Sequence, residues 1–335
     1  MACFCTLFNS AYLDKGMVLI ESLKAVSPKS YLYVFAFDDK CFEILSNLNY
    51  DNVILVSLAE FENELLLKLK KERSSRAYCW TCTPFTIKHV LENYNEKECT
   101  YIDADMYFYS DPQVLLDEIK EDNCDVGIVE HRFGRGKVQE QQLEIAGKYC
   151  VEFNTFKNNE NGLRVLNYWA DKCAECCTDD TSQSKDGKFG DQMYLNDWLQ
   201  RFDRIHVMKN HGGGMAPWNI YRYRLTKNSN KDSIEFRDIQ DKGIYNLVFY
   251  HFHGMTSYVD NSFDISVFGR YGYPQKKLVK RIYNPYIDEI LVARKQLKEM
   301  FGLDLLEKTE NRIGPTLKEI IHFKTYIKKI KDIWK

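Results

Sequence analysis

Residues 31–37 read YLYVFAF, an unbroken apolar and aromatic run that stops at Asp38-Asp39. A strand with one wet face alternates apolar with polar residues. A strand with no polar position has to be covered on both faces, as inside a parallel sheet. Parallel neighbours need long crossover connections, usually helices, and the flanking sequence supplies them. Residues 4–8 predict a strand, and residues 15–26 a helix carrying Met17, Ile20 and Leu23 inward. Residues 53–56 predict a third strand, and residues 60–73 a helix with Phe61, Leu65, Leu66 and Leu69 on its apolar side. Thr83-Pro84 reads as a helix start, a Thr N-cap followed by Pro in the first turn, with Ile87, Val90, Leu91 and Tyr94 as the stripe. Strands follow at residues 100–102 and 126–129. The expected fold class is α/β, with a mixed, mostly parallel central sheet flanked by helices. Such sheets bind ligands at the carboxyl ends of their strands, where Asn9, Asp38, Asp103 and Asp105 fall.

The chain of 335 residues is long enough to bury a full core, and its 44% hydrophobic and 28% charged residues fit an ordered protein. A net charge of −2 offers no argument for a nucleic-acid partner. Residues 1–8 lack the basic and apolar regions of a signal peptide. With an odd count of eleven cysteines, this points to reduced thiols and a cytoplasmic location. No apolar run approaches the roughly 20 residues that span a bilayer. Cys79 and Cys82, and the cluster Cys173, Cys176 and Cys177, raise the question of zinc. However, Leu163, Leu166, Trp169, Ala170, Cys173 and Cys177 keep helical spacing, so the default is cysteine as a small core hydrophobe.

The second half is less regular. Residues 178–190 are polar and read as a mobile loop, and residues 226–243 as an exposed hairpin or insertion. Residues 248–252 predict a strand ending in His251-Phe252-His253-Gly254, with one histidine facing the core and the other the site. From residue 275 the pattern is helical. The expected division is a catalytic domain at residues 1–274 and a helical extension at 275–335. In that extension Leu317, Ile320, Ile321, Ile327, Ile330 and Trp334 are helically spaced among six lysines, against only Glu319 and Asp332. Such a basic amphipathic helix either lies on an anionic membrane surface or packs on the domain with its lysines in water.

Asp103-Ala104-Asp105 follows the β-prone Thr100-Tyr101-Ile102. Alternate residues of a strand share a side, so the two carboxylates converge at its end. Like charges so close repel, and a divalent metal held by oxygens, Mn²⁺ or Mg²⁺, resolves the repulsion. The bland reading is a polar exit from a strand. Three further elements follow in order: Phe153-Asn154-Thr155 after a short strand, Gly190-Asp191-Gln192 opening a helix whose Leu195, Trp198, Leu199 and Phe202 face the core, and His251-Phe252-His253-Gly254. Each has its own bland reading, with Asp191 as an N-cap, Gln192 as a solvated first-turn residue and Asn154 bonding nearby backbone.

In this order and spacing, together with Tyr109-Ser110-Asp111-Pro112 and Leu195-Asn196, these elements resemble the GT-A-fold glycosyltransferases. They are most similar to glycosyltransferase family 8, the glycogenin and bacterial lipopolysaccharide galactosyl- and glucosyltransferase group. The resemblance spans residues 4–254. It implies Asp103, Asp105 and His251 as Mn²⁺ ligands bridging the diphosphate of a UDP-hexose, with Asp105 also reaching the ribose and Ala104 admitting the nucleotide to the backbone. His253 stands as the alternative to His251. The resemblance further implies Asp191 on the donor sugar's hydroxyls, Gln192 beside the anomeric carbon, Asn154 as a sugar-binding residue, and Asn9, with Asp38, at the uracil pocket. The acceptor would be a glycan or a lipid-linked glycan of a cell-surface polysaccharide or lipopolysaccharide, and the anomeric configuration would be retained.

Two departures stand out. The family's basic residue on the helix before the Asp-x-Asp strand is replaced by Thr86, with Lys88 as the nearest cation. The family's Lys-Pro-Trp after His-x-x-Gly is absent, whereas Ala216-Pro217-Trp218-Asn219 precedes that motif after Gly212-Gly213-Gly214. The glycine run reads as a lid, a phosphate cradle or a turn. Two other function classes stay open: a metal-dependent phosphohydrolase and a non-catalytic sugar-nucleotide-binding protein.

Overall fold

Along the chain, strand β1 (Cys3–Phe8) leads into helix α1 (Leu13–Val26), then β2 (Tyr31–Ala36), α2 (Asp39–Leu48), β3 (Val53–Ser57), α3 (Leu58–Phe61), α4 (Glu64–Glu72) and α5 (Ser75–Asn93). Next come β4 (Glu98–Ile102), β5 (Met106–Phe108), α6 (Gln113–Glu121), β6 (Val126–Glu130), α7 (Lys137–Ala146), β7 (Tyr149–Lys157) and α8 (Glu160–Glu175). A 3-10 run (Gln192–Asp197) opens into α9 (Trp198–Arg201), followed by β8 (Ile205–Val207), β9 (Tyr223–Leu225), β10 (Glu235–Asp238), β11 (Ile244–Asn246), β12 (Phe249–His251), the short β13 (Thr256–Ser257) and β14 (Phe263–Asp264), and α10 (Lys276–Phe301). This computed structural model describes residues 1–180, 182, 190–230, 233–258, 263–265, 267 and 272–305. The basic segment 306–335 and most of the polar stretch 178–190 lie outside the described residues.

The central sheet has seven strands in the order β3-β2-β1-β4-β7-β6-β8. Only β7 runs against its neighbours β4 and β6, and the other pairs are parallel. The architecture is therefore α/β with a mixed, mostly parallel sheet flanked by helices, as its patterning predicts. Strand β2 shows why. Leu32, Val34 and Ala36 enter one core, with α1 and α10, while Tyr33 and Phe35 enter the other, with α5 and α8. Both faces are covered, so no polar residue is tolerated.

Several local expectations change. The helix expected to be capped by Thr83 starts nine residues earlier, capped by Ser74, whose side chain accepts from the Ala77 N–H, and it runs through Pro84. The missing Pro N–H is accommodated within a buried helix that also turns the Thr83 and Thr86 hydroxyls onto the Cys79 and Thr83 carbonyls. The single helix expected over residues 60–73 is two, because Asn63 caps a new start at Glu64. That restart turns Leu66 and Leu69 inward and leaves Leu65 44% exposed. After Asp191 the helix begins as 3-10, with three residues per turn, so Leu195 and Trp198 stack inward and Leu199 faces water. Residues 226–243 contribute to a three-stranded antiparallel sheet, β11-β10-β9. All eleven cysteines are free thiols, and Cys82 and Cys173 pack in the α5–α8 core. Among the described residues, no helix is long and apolar enough to cross a membrane.

Candidate active site

Strand β4 ends at Ile102, and the chain turns at once. The Met106 N–H donates to the Asp103 carbonyl (3.3 Å), closing a turn that holds Ala104 and Asp105. The two carboxylates thus converge through a β-turn rather than through strand alternation. The chain then pairs β5 with β12, antiparallel, in a register that sets His251 opposite Met106. The Phe252 N–H donates to the Asp105 carbonyl (2.9 Å). Backbone pairing alone therefore carries the histidine to the acidic turn, across nearly 150 residues of sequence. His251 Nε2 lies 3.1 Å from Asp105 Oδ1 and 3.6 Å from Asp103 Oδ2. Its Nδ1 lies 2.7 Å from Glu152 Oε2, on β7. His253 does not face the opposite way. It lies exposed in the turn that follows β12, which brings the two rings to 5.6 Å, both edge-on to Trp218.

The electrostatics follow from crowding charge in a half-dry turn. Burial pushes the Asp103 carboxyl up; the His251 charge pulls it back, Asp105 pushes it further, and it settles at about 6. Burial also works against ionised Asp105, but the charge and hydrogen bond of His251 outweigh it and hold that carboxyl well below the usual range. Burial lowers His251, yet Asp105, Cys150 and Glu152 raise it well above an ordinary imidazole. Asp191, buried and facing the Asp103 charge, is pushed up to about 7 despite a hydrogen bond from Thr83. Three carboxylates around one imidazole form an anionic nest, and Glu152 Oε1 is buried without a hydrogen-bond partner. An oxygen-rich donor set with one imidazole fits Mn²⁺ or Mg²⁺.

The other expected residues fall in different places. Asp191 joins the cluster through Asp103, and its carbonyl accepts from Trp169 Nε1 (3.0 Å). Its side chain does not cap the 3-10 run that begins at half-buried Gln192. Asn154 is buried on β7 opposite Tyr101. With its amide turned to donate, it reaches the carbonyls of Cys150 (3.3 Å) and Phe153 (3.2 Å). The methyl of Ala104 packs into the α1–α10 core. Asn9, partly exposed at the end of β1, accepts from the Tyr12 N–H through its carbonyl (2.9 Å). Asp38 is fully engaged: one oxygen accepts from the Cys41 N–H (2.7 Å) and the other from the N–H and hydroxyl of Ser10. Lys88 is paired with Asn167 (2.9 Å) and Glu92 (3.6 Å) on the α5–α8 surface.

Two charged residues at this place escaped the sequence. Glu152 directly precedes the Phe153-Asn154-Thr155 element, and its one signal is a charge inside a buried strand. Buried Lys15 on α1 adds positive charge that helps hold Asp105 down, and only its position six residues after Asn9 hints at that. Of the three readings of the glycine run, the structure shows the turn. The Gly212 carbonyl accepts from the Val248 and Phe249 N–H groups, the Gly213 carbonyl from Arg132, and the Met215 carbonyl from the His251 N–H (3.0 Å). The run is a packed backing for β12, and Gly214 holds a φ of +86° beside Glu152.

Fold and site together define an α/β protein with a buried carboxylate–histidine cluster at the carboxyl end of a mostly parallel sheet. No protein-family model matches the chain. It belongs to the same family as the uncharacterized protein YfnF of Bacillus subtilis (strain 168), being 31% identical over 256 residues, 75% of this chain and 80% of that one. The uncharacterized protein YfnD of the same organism is 29% identical over 285 residues, 85% of this chain and 87% of that one. Among solved structures, this chain is similar to the galactosyltransferase LgtC in complex with donor and acceptor sugar analogs, at 12% identity, 85% and 99% coverage and a TM-score of 0.46. It is also similar to the glycosyltransferase GlyE of Streptococcus pneumoniae TIGR4, at 11% identity, 92% and 66% coverage and a TM-score of 0.48.

Proposed function

We propose that this protein is a metal-dependent glycosyltransferase that moves a sugar, with UDP-hexose as the expected donor, onto a glycan or lipid-linked acceptor. One observation carries the reading. Asp103, Asp105 and His251 offer ligand atoms within 4.8 Å of one another, at the strand ends where α/β sheets bind ligands. Asp191 lies close enough for the Asp103 charge to raise its carboxyl.

In this reading Asp103, Asp105 and His251 hold the divalent ion. When bound, the ion neutralises the leaving diphosphate without needing a proton. The residues do the rest. Asp105, its carboxyl held well below the usual range by His251, supplies negative charge to the ion. Asp191, poised near neutrality, accepts hydrogen bonds from donor-sugar hydroxyls once ionised, and Gln192 stands beside it at the open edge. Lys88 is the expected donor-holding cation, and Lys15, whose charge helps hold Asp105 down, would be a second one facing the donor's phosphates. Asn9 lies on the nucleotide side, and Asp38 shapes that wall by tying β1 to α2. Asn154 acts on the sugar only indirectly, through the β7 backbone it braces. The acceptor oxygen bonds to the anomeric carbon as the bond to the diphosphate oxygen breaks. The acceptor proton passes to that leaving oxygen, and configuration is retained. The basic segment 306–335 is assigned to an anionic, cytoplasmic membrane face where a lipid-linked acceptor would sit. Co-sedimentation with anionic vesicles, lost on deleting it, tests that assignment.

The test of the core reading is a calorimetric screen of UDP-, GDP- and dTDP-sugars with and without Mn²⁺, followed by product NMR. We expect Mn²⁺-dependent binding of a UDP-sugar, abolished in Asp105→Asn. An unaltered response in D105N would sink the reading. An inverted product linkage would remove its retaining step, and phosphate-ester hydrolysis without sugar-nucleotide binding would replace it with a phosphohydrolase.

A further inference from the structure

We propose that Glu152 is a positioning residue, which holds His251 with Nδ1–H directed into β7 so that Nε2 faces the Asp103–Asp105 turn. The inference rests on the metal reading of that turn and deepens it.

Four observations carry it. Glu152 is fully buried. Its Oε2 lies 2.7 Å from His251 Nδ1, short enough for a charge-assisted hydrogen bond. Its backbone carbonyl accepts from the Asp103 N–H (3.3 Å), so one residue ties both the acidic turn and the histidine to the same strand. Its second oxygen has no hydrogen-bond partner, so the carboxylate's polar contact is spent on the imidazole.

A buried carboxylate costs several kcal/mol in order of magnitude unless it has a partner. Leucine or valine would fill this strand position at lower cost. What Glu supplies there is a fixed acceptor. A neutral imidazole has one N–H and one lone pair, and an acceptor locked on Nδ1 assigns the lone pair to Nε2. Nε2 is the nitrogen aimed at both aspartates. Packing and the backbone support this orientation of the ring. Trp218 stands edge-on at 5.4 Å, and the His251 N–H is bonded to the Met215 carbonyl. Gly214 makes the arrangement possible, since a Cβ there would come within 3.3 Å of Glu152 Oε1 and 2.6 Å of Val129.

The test compares Glu152→Leu, Glu152→Gln and Glu152→Asp in the full chain. Mn²⁺ affinity is read by calorimetry and by EPR of the free ion, and melting temperature is measured alongside. Loss of an outer partner of a ligating histidine lowers metal affinity by about 10- to 100-fold, and we expect E152L to fall in that range. E152Q, whose amide oxygen can accept the same hydrogen bond, should recover most of the affinity. In ¹⁵N-histidine-labelled protein loaded with diamagnetic Mg²⁺, His251 should carry its proton on Nδ1 in the wild type and in E152Q, and populate both tautomers in E152L. If E152L does not fold, E152D makes the same comparison, since it keeps the charge and withdraws the carboxylate by one methylene. Wild-type Mn²⁺ affinity in folded E152L or E152D, or a proton on Nε2 in the wild type, would overturn the role of Glu152 while leaving the metal reading intact. Absence of Mn²⁺ binding by the wild type would overturn both.

Discussion

Asp103, Asp191 and His251 all hold protons more tightly than their types do in water, at about 6, about 7 and well above the ordinary imidazole. A cation at the turn must displace the protons on Asp103 and His251, so metal binding releases protons. Mn²⁺ affinity should therefore rise as pH goes from 6 to 8, with calorimetric heats that change with the buffer's ionisation enthalpy. A flat affinity over that range would contradict the assignment. Asp191 gives a separate prediction about the metal-free fold. Its folded value lies above the unfolded one, so its stabilising contribution is complete below about pH 4 and is lost as pH rises through about 7. The cost accumulates at up to about 1.4 kcal/mol per pH unit. Asp191→Asn should match the wild type near pH 4 and become progressively more stable towards pH 7, as read from urea midpoints in chelator. At this scale the legible residues were those in motifs. Asp103, Asp105 and His251 could be found because each sits where the chain leaves an apolar strand, and Asp191 because it opens a helix after a polar stretch. Glu152 could not, because its reason for being charged lies on another strand.

Elements were legible where a single physical demand set their composition, and β2 is the clearest case. They were misread where two demands competed. Pro84 signals a helix start by local preference, yet the apolar stripe upstream of it already needed a helix, and tertiary burial kept that helix continuous. The glycines at 212–214 left a lid, a cradle and a turn open, and the structure shows a turn whose demand is close approach to packed neighbours. Gly214→Ala should show this. The added methyl would meet Val129 at 2.6 Å and force an L-residue to a φ of +86°, costing about 1–3 kcal/mol from strain alone and weakening Mn²⁺ binding through β12. Gly302→Ala is the internal control, because its φ is +63° but no atom lies within 4 Å. It should cost only about 1–2 kcal/mol and leave metal affinity unchanged. Asp38→Ala separates structure from binding in the same way. Loss of its cap should cost about 0.5–2 kcal/mol with Mn²⁺ affinity intact.

For the molecule as a whole, the question is whether the long C-terminal helix is an appendage or part of the body that positions the site. Helix α10 lays Leu278, Ile282, Tyr286 and Ile290 into the same core as Phe4 of β1 and Met106 of β5. Arg294 Nε donates to Asp14 Oδ2 at 2.6 Å, joining α10 to α1 through a pair that is nearly dry on both sides. Asp14 is the neighbour of Lys15, so the pair also anchors the turn of α1 that brings a cation towards Asp105. Removing one partner strands a buried charge, which typically costs about 3–5 kcal/mol, whereas replacing both with well-packed neutral groups is often close to neutral. Arg294→Ala should therefore lose about 3–5 kcal/mol in urea unfolding, and Asp14→Asn with Arg294→Met should recover most of it. Because α10 shares a core with the central sheet, all three proteins should unfold in one transition by both tryptophan fluorescence and far-UV circular dichroism. Two separated transitions would make α10 an independent unit and uncouple it from the acidic turn.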